Sequence, residues 1–210
     1  MKIGKFLYRY RSLTPVPIII ILLFFSQPTL LSVIYGFILT FFGEIIRLIS
    51  IGYTGLTTRS KNVQSKILVT NGPYSYVRNP IYVGNFFISL GVVISANSLF
   101  PWYIIAYILL FALQYSFIIK FEEQFLSKAF GKEHRNYMEN VPSFSINFRG
   151  YKNKSKVKPN FRKAFKSEKT TLIIITLLFS IFLTFLLTKF SPLHILHHLN
   201  SWQFGTIGNE

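Results

Sequence analysis

The chain has 210 residues, of which 50% are hydrophobic, 18% are aromatic and only 14% are charged, whereas roughly a quarter of the residues in soluble domains are charged. This composition excludes an ordinary soluble domain and indicates a membrane protein. The chain has no cysteine, which excludes disulfides, thiolate catalysis and cysteine metal sites. The formal net charge is +16, but the basic residues are distributed by loop and not along one soluble face, a pattern that does not fit nucleic-acid binding.

Apolar segments recur along the chain, each close to the roughly 20 residues that cross the hydrocarbon core of a bilayer. These segments are Leu13–Leu31, Leu31–Ile51, Ile81–Leu99, Trp102–Phe121 and Thr170–Phe190. They predict an all-α integral membrane bundle of about five transmembrane helices, with a tight hairpin near Ser26–Pro28. No small-x-small cleavage site follows the first segment, so we expect a span and not a signal peptide.

Lys and Arg are placed asymmetrically in the connecting segments. They are frequent in the N-terminal residues, between Arg47 and Arg78, and in Lys120–Lys169, but absent from Ser26–Thr29 and Ser95–Pro101. Under the positive-inside rule, the N-terminus and the two basic segments are cytoplasmic and the C-terminus lies outside. The basic segments should also attract anionic lipid head groups.

The second span carries two charged residues. Glu44 and Arg47 are separated by about one helical turn, and we interpret them as an ion pair near the cytoplasmic interface. The residues that follow, Gly52–Ser65, are rich in Gly, Thr and Ser and are predicted to form a loop.

The stretch "LVTNGPYSYVRNPIYVGNFF" precedes the third span. Gly72 and Pro73 break regular structure, Pro80 suits the first position of a helix, and Asn79 is suited to cap that helix. We therefore expect an ordered loop at the membrane surface, with free N–H groups and the helix dipole directed at an anionic group such as a carboxylate. The alternative is an interfacial belt in which Tyr and Arg only anchor a helix end.

An acidic pair, Glu122 and Glu123, lies at the cytoplasmic end of a span in a chain with only seven acidic residues. Carboxylates at such a position need a partner, because a lone buried charge is costly. They could pair with nearby lysines such as Lys120 or with solvent. They could also hold the ammonium or hydroxyl groups of a ligand whose carboxylate meets Arg78.

The C-terminal part is divided by composition. The predicted units are a membrane core at 1–150, a basic cytoplasmic linker at 151–169, and an additional span with a short tail at 170–210. Within the core, the pattern of Phe121–Asn140 predicts an amphipathic helix that ends at Gly131, followed by a short second helix.

Three histidines on one helical face of the tail, His194, His197 and His198, could bind a metal, but no carboxylate is near and we interpret them as a surface cluster.

Two motifs, "LVTNGPYSYVRNPIYVGN" and "EEQFLSKAFGKEHRNYMENVPSF", together with "GEIIRLISIGYTG" on the second span, resemble the isoprenylcysteine carboxyl methyltransferase-like group of integral membrane methyltransferases. This group is related more distantly to phospholipid N-methyltransferases. The resemblance covers roughly Gly43–Phe144, and it implies a helical fold whose cytoplasmic side encloses S-adenosylmethionine. The candidate cofactor-binding residues are Lys66, Ile67, Leu68, Val69, Gly72, Tyr74, Asn79, Pro80, Ile81, Tyr82, Glu122 and Glu123.

The chain departs from this pattern at two positions. Asn79 stands where many members have His. Ile118 occupies the approximate position of an Arg that binds the substrate carboxylate in members acting on prenylcysteine, and Lys120 is the nearest cation. The acceptor therefore stays open among prenylated cysteine, other isoprenoid or lipid carboxylates, phospholipid amines and small hydrophobic compounds.

The leading hypothesis is methyl transfer from S-adenosylmethionine to a lipophilic acceptor in the membrane. Arg78 and Glu123 are the candidate catalytic residues: Arg78 or Lys120 would bind an acceptor carboxylate, and Glu123 or a tyrosine would deprotonate an amine or hydroxyl. One alternative is a phospholipid amine N-methyltransferase. Another is a non-enzymatic membrane scaffold or small transporter, although transporters usually place ionisable groups near the bilayer midplane.

Overall fold

The computed structural model describes residues 2–54 and 67–188, in which seven α-helices and no strands occur. The helices are α1 (Lys2–Tyr10), α2 (Pro15–Phe24), α3 (Leu30–Thr54), α4 (Pro80–Ala96), α5 (Trp102–Phe130), α6 (Lys132–Asn140) and α7 (Phe161–Thr188). The predicted all-α bundle is confirmed. Lys66 and the three tail histidines lie outside the described residues.

Three of the described helices, α3, α5 and α7, are long and apolar enough to cross a membrane. A fourth span is possible if α1 and α2 cross together, because they meet at a bend of 60°. A break between α2 and α3 lies where the hairpin near Ser26–Pro28 was predicted, and α2 packs against α4. Helix α4 has only 17 residues, so the number of five spans stays a prediction.

Helices α3 and α4 pack very closely because glycines face each other along their contact. A Cβ on Gly36 would overlap the carbonyl oxygen of Gly91, and one on Gly43 would lie 2.7 Å from the carbonyl oxygen of Gly84. Small residues let membrane helices approach at backbone distance, where dispersion contacts replace the hydrophobic driving force. This pair forms the centre of the bundle, and α5 and α7 pack against it.

Helix α7 begins at Phe161, inside the stretch predicted as a linker at 151–169. Asn160 caps its first turn, since the Lys163 N–H donates to Asn160 Oδ1 at 2.9 Å, which is a preferred N-cap interaction. The Asn160 N–H also donates to the Gly52 carbonyl at 2.8 Å, which ties the start of α7 to the end of α3. The farther part of α7 reaches the core, where Phe182 is fully buried.

Between α6 and α7 the chain runs as an extended strap, residues 141–160. The predicted end of the amphipathic helix is confirmed, because α5 continues to Phe130 and Gly131 separates it from α6 at a φ of +52°. The strap then returns across the loop at residues 67–79, which places that loop between α3, α6 and the strap.

Candidate active site

The loop at residues 67–79 turns sharply at Gly72, which starts a short 3-10 turn with Pro73. Gly72 has a φ of +59°, and a Cβ there would overlap the ring of Tyr53 on α3. A residue with a side chain would meet both the left-handed strain and this clash. The role predicted for Gly72 in shaping the turn is therefore explained by its packing on Tyr53.

Hydrogen bonds to main-chain carbonyls hold this loop on its outer side. The Tyr137 hydroxyl of α6 donates to the Tyr74 carbonyl at 2.6 Å, and the Tyr151 N–H of the strap donates to the Ser75 carbonyl at 2.7 Å. Farther along, the Asn71 side chain donates to the Val157 carbonyl at 2.7 Å. Burial raises the pKa of the Tyr74 phenol, so this group stays protonated at neutral pH.

All three nitrogens of the Arg78 guanidinium donate hydrogen bonds. Its Nε and Nη2 donate to Glu123 Oε1 at 3.0 and 2.8 Å, and its Nη1 donates to the carbonyls of Met138 and Val141. Charge-assisted bonds of this fork geometry are among the strongest in proteins. Arg78 thus joins the loop to α5, α6 and the strap.

Glu122 faces the other way from Glu123. Its Oε2 accepts a hydrogen bond from the Tyr82 hydroxyl of α4 at 2.7 Å, and both side chains border the main cavity. Two adjacent carboxylates thus have different surroundings, one bonded to a guanidinium and one bonded to a phenol beside open space.

The start of α4 differs from the expectation in one respect. Asn79 does not cap the helix with its side chain; its amide instead donates to Ser143 Oγ at 2.9 Å. The Asn79 carbonyl accepts the N–H groups of Tyr82 and Val83, and Pro80 has no N–H. The predicted capping role was therefore wrong, and the helix start presents fewer free N–H groups than expected.

A second polar network lies deeper in the bundle. Arg47 of α3 donates through Nη1 to Asn85 Oδ1 at 2.7 Å and forms an ion pair through Nη2 with Glu168 Oε2 of α7 at 2.6 Å. The Asn85 amide donates to the Tyr115 hydroxyl at 3.0 Å. Glu168 is fully buried, so the loss of Arg47 would leave a buried, unpaired charge and strongly destabilise the fold.

Both networks border one cavity of about 970 Å³, which is at the upper end of the ~300–1,000 Å³ typical of small-molecule sites. Of the predicted site residues, those that border it are Ile67, Leu68, Val69, Tyr74, Arg78, Asn79, Pro80, Ile81, Tyr82 and Glu122. Within the described chain, Gly72, Glu123 and Lys120 are not among its lining residues, and Lys120 is exposed.

The sequence did not indicate the part that α7 plays in this cavity. Glu168, Thr170, Thr171 and Ile174 all border it, although they lie in or beside the predicted linker. Arg47 was assigned a helical partner, Glu44, but pairs with Glu168. The one available signal was the isolated Glu168 among the lysines that precede the last apolar run.

Ile118 is fully buried in a cluster with Tyr8, Tyr82, Tyr115 and Ile119. It packs in the bundle instead of bordering the cavity, whereas Arg11, whose guanidinium lies 4.0 Å from the Tyr8 ring centroid, borders the cavity beside this cluster. Among the residues that the structure describes, no group of three potential metal ligands lies together.

A model of the phospholipid methyltransferase family matches residues 31–133. A protein-S-isoprenylcysteine O-methyltransferase of Xenopus laevis is 35% identical over 123 residues, which cover 56% of this chain and 41% of that protein. The cobalt-zinc-cadmium resistance protein CzcN of Cupriavidus metallidurans is 40% identical over 81 residues, 39% of this chain and 36% of that protein. The nickel-cobalt-cadmium resistance protein NccN of Alcaligenes xylosoxydans xylosoxydans is also 40% identical over 81 residues, 39% of this chain and 37% of that protein.

The chain thus spans about two fifths of the length of these relatives. No solved structure matches it. The family match includes α3 except its first residue, all of α4 and all of α5, and it ends before α7 begins.

Proposed function

We propose that the chain is a member of the isoprenylcysteine carboxyl methyltransferase-like family of integral membrane methyltransferases and that it transfers a methyl group from S-adenosylmethionine to a lipophilic acceptor in the membrane. The observation that supports this most is the shared cavity: Tyr82 of the first motif and Glu122 of the second both border it, and it extends into the interior of the membrane bundle. A polar donor and a greasy acceptor would need such a shared space.

The residues at the loop end of the cavity suit S-adenosylmethionine. Bound there, the cofactor would supply the methyl group that is bonded to its positively charged sulfonium sulfur. The Glu122 carboxylate and the rings of Tyr74 and Tyr82 are the groups that stabilise a cation, and Leu68 and Val69 would hold the nucleoside. This is the cofactor end of the cavity, defined by residues 67–82 and Glu122.

We propose Glu122, and not Glu123, as the group that receives a proton when the acceptor is a hydroxyl or an amine. Glu122 borders the cavity, whereas Glu123 is bonded to Arg78. Arg78 would then act as a positioning residue, because its guanidinium nitrogens donate to Glu123 of α5, Met138 of α6 and Val141 of the strap. A carboxylate acceptor would need no base.

The Lys and Arg distribution supports a cytoplasmic N-terminus and a cytoplasmic opening at the cofactor end. Under this orientation the soluble cofactor enters from the cytoplasm, and the acceptor enters from the membrane between helices. Alignment of the two and exclusion of water are the main tasks of the protein in such a displacement.

The proposal is tested with detergent-purified protein. We expect saturable binding of S-adenosylhomocysteine by calorimetry, and transfer of label from methyl-labelled S-adenosylmethionine to a membrane lipid extract. Protein that is folded by circular dichroism but binds no S-adenosylhomocysteine would contradict the enzymatic function and favour a scaffold.

A further inference from the structure

Helix α7 supplies one side of the cavity although it lies outside the family match. Four of its residues border the cavity: Glu168, Thr170, Thr171 and Ile174. One of them, Glu168, is bonded to Arg47. This part of the cavity wall therefore comes from a segment of the chain that the family match does not cover.

The charges at this inner end cancel. Arg47 and Glu168 are joined at 2.6 Å, and Glu168 is fully buried. The groups around them are neutral: the Asn85 amide, the Ser89 hydroxyl and the Tyr115 hydroxyl all border the cavity. A charged group brought into this region would lose its hydration and gain no net counter-charge.

The other cations of the cavity have negatively charged neighbours or lie outside the bundle. Arg78 is paired with Glu123, and Arg11 lies close enough to Glu122 to interact with it electrostatically. Arg9 is exposed. The buried part of the cavity thus lacks an unpaired cation among the described residues, which disfavours an acceptor carboxylate.

The cavity also reaches the outer surface of the bundle at α7. Ile174 borders the cavity and is still 49% exposed. Its neighbour Ile173 is equally exposed, at 49%, but borders only a shallow external groove. In a membrane, the Ile174 side would face lipid, so a lipophilic molecule could pass here without crossing water.

We propose that α7 forms the acceptor-binding side of the cavity and that the Arg47–Glu168 pair receives an uncharged polar group of the acceptor, such as a hydroxyl. This proposal rests on the proposed methyl transfer. In the reaction, the acceptor oxygen attacks the methyl carbon, the bond from sulfur to carbon breaks with its electrons on sulfur, and the hydroxyl proton passes to Glu122. Glu168 is a positioning residue that holds Arg47.

The first test uses two matched substitutions on α7. Ile174→Trp fills the opening, and Ile173→Trp adds the same bulk one position away on the lipid side. We expect Ile174→Trp to raise the acceptor KM by about tenfold or more, while Ile173→Trp leaves it within about twofold and both bind S-adenosylhomocysteine normally. Equal acceptor KM values for the two variants would overturn the assignment of α7.

The second test addresses the ion pair. Glu168→Gln keeps the shape but removes the charge, and we expect the acceptor KM to rise by about tenfold with unchanged affinity for S-adenosylhomocysteine. Ser167→Ala is the control, since Ser167 is buried on the same helix and does not border the cavity. A Glu168→Gln variant that loses thermal stability but keeps the wild-type KM would show a merely structural role.

The third test identifies the head group without knowing the acceptor. The lipid extract is labelled with the wild-type protein and separated on silica, and each fraction is treated with mild base. We expect the label in the neutral-lipid fraction and stable to base. Label released as volatile methanol would reveal a methyl ester, and label in the phospholipid fraction a charged head group; either would overturn the proposal.

These outcomes separate the two proposals. Failure to bind S-adenosylhomocysteine, or failure to label any lipid, counts against the proposed function itself. Normal cofactor binding and lipid labelling, with no effect of Ile174→Trp or Glu168→Gln, counts against the role of α7 alone.

Discussion

The two proposed ends of the cavity are built in different ways. The cofactor end takes most of its residues from one short stretch, residues 67–82, and adds Glu122 from α5. The acceptor end, defined by Arg47, Asn85 and Glu168, takes one residue from each of three helices. The first is therefore visible as motifs in the sequence, whereas the second exists only after α3, α4 and α7 have packed.

This difference has a functional consequence. Substitutions at the cofactor end should change the affinity for S-adenosylhomocysteine, and those at the acceptor end should change the acceptor KM.

Gly72→Leu should abolish cofactor binding. The new side chain would overlap the Tyr53 ring in a backbone conformation with a φ of +59°, and strain and overpacking together cost about 3 kcal/mol or more. Calorimetry should show an affinity for S-adenosylhomocysteine reduced more than about 100-fold. Gly131→Leu is the control, because Gly131 has a φ of +52° but open space around it; an equal loss there would point to general unfolding.

Arg78→Lys should weaken cofactor binding by about 2 kcal/mol. Lysine cannot reproduce the fork that bonds Glu123 and the carbonyls of Met138 and Val141 at once. The loop at residues 67–79 would then lose its tie to α5 and α6, and the dissociation constant of S-adenosylhomocysteine should rise about 30-fold. A higher acceptor KM with unchanged cofactor affinity would instead identify Arg78 as a substrate clamp, as the sequence suggested.

Tyr82→Phe should lower kcat by about fivefold, equivalent to roughly 1 kcal/mol for one hydrogen bond. It removes the hydroxyl that donates to Glu122 at 2.7 Å and so alters the proposed base. Tyr107→Phe serves for comparison, since the Tyr107 hydroxyl is bonded to Ser89 and does not border the cavity. Single-turnover rates that fall equally in both variants would argue against Glu122 as the base.

Asn79→Ala should have the smallest effect, about 0.5–1 kcal/mol. Its side chain bonds Ser143 and does not cap α4, so the helix itself should persist. The melting temperature should fall by only a few degrees. A loss of helical circular dichroism would contradict this expectation and indicate that the Asn79 side chain does cap α4.

The sequence predicted what depends on local chemistry. Pro80 starts α4, Gly131 ends α5, and the break near Ser26–Pro28 separates α2 from α3, because Pro fixes the backbone angle φ and Gly adopts the positive φ that ends a helix. Hydropathy identified the membrane bundle, but it did not show that helix α7 begins at Phe161, before the span predicted from Thr170, since the basic first turns of α7 contain few apolar residues.

The pairing of side chains that lie far apart in the chain could not be predicted from the sequence. Arg47 had a plausible partner one turn away in Glu44, yet it pairs with Glu168. Glu122 and Glu123 are adjacent and have the same side chain, so the sequence does not distinguish them. Only packing shows that Glu122 faces the cavity and that Glu123 faces Arg78. Such choices depend on how the helices meet, which no single segment determines.

The most direct test of the two-ended cavity is the affinity for S-adenosylhomocysteine of two variants measured side by side by calorimetry. Glu122→Gln should weaken binding by about tenfold, and Glu168→Gln should leave it within about twofold of wild type. Equal weakening in both variants, or wild-type affinity in both, would contradict a cofactor end at Glu122 that is distinct from the acceptor end at Glu168.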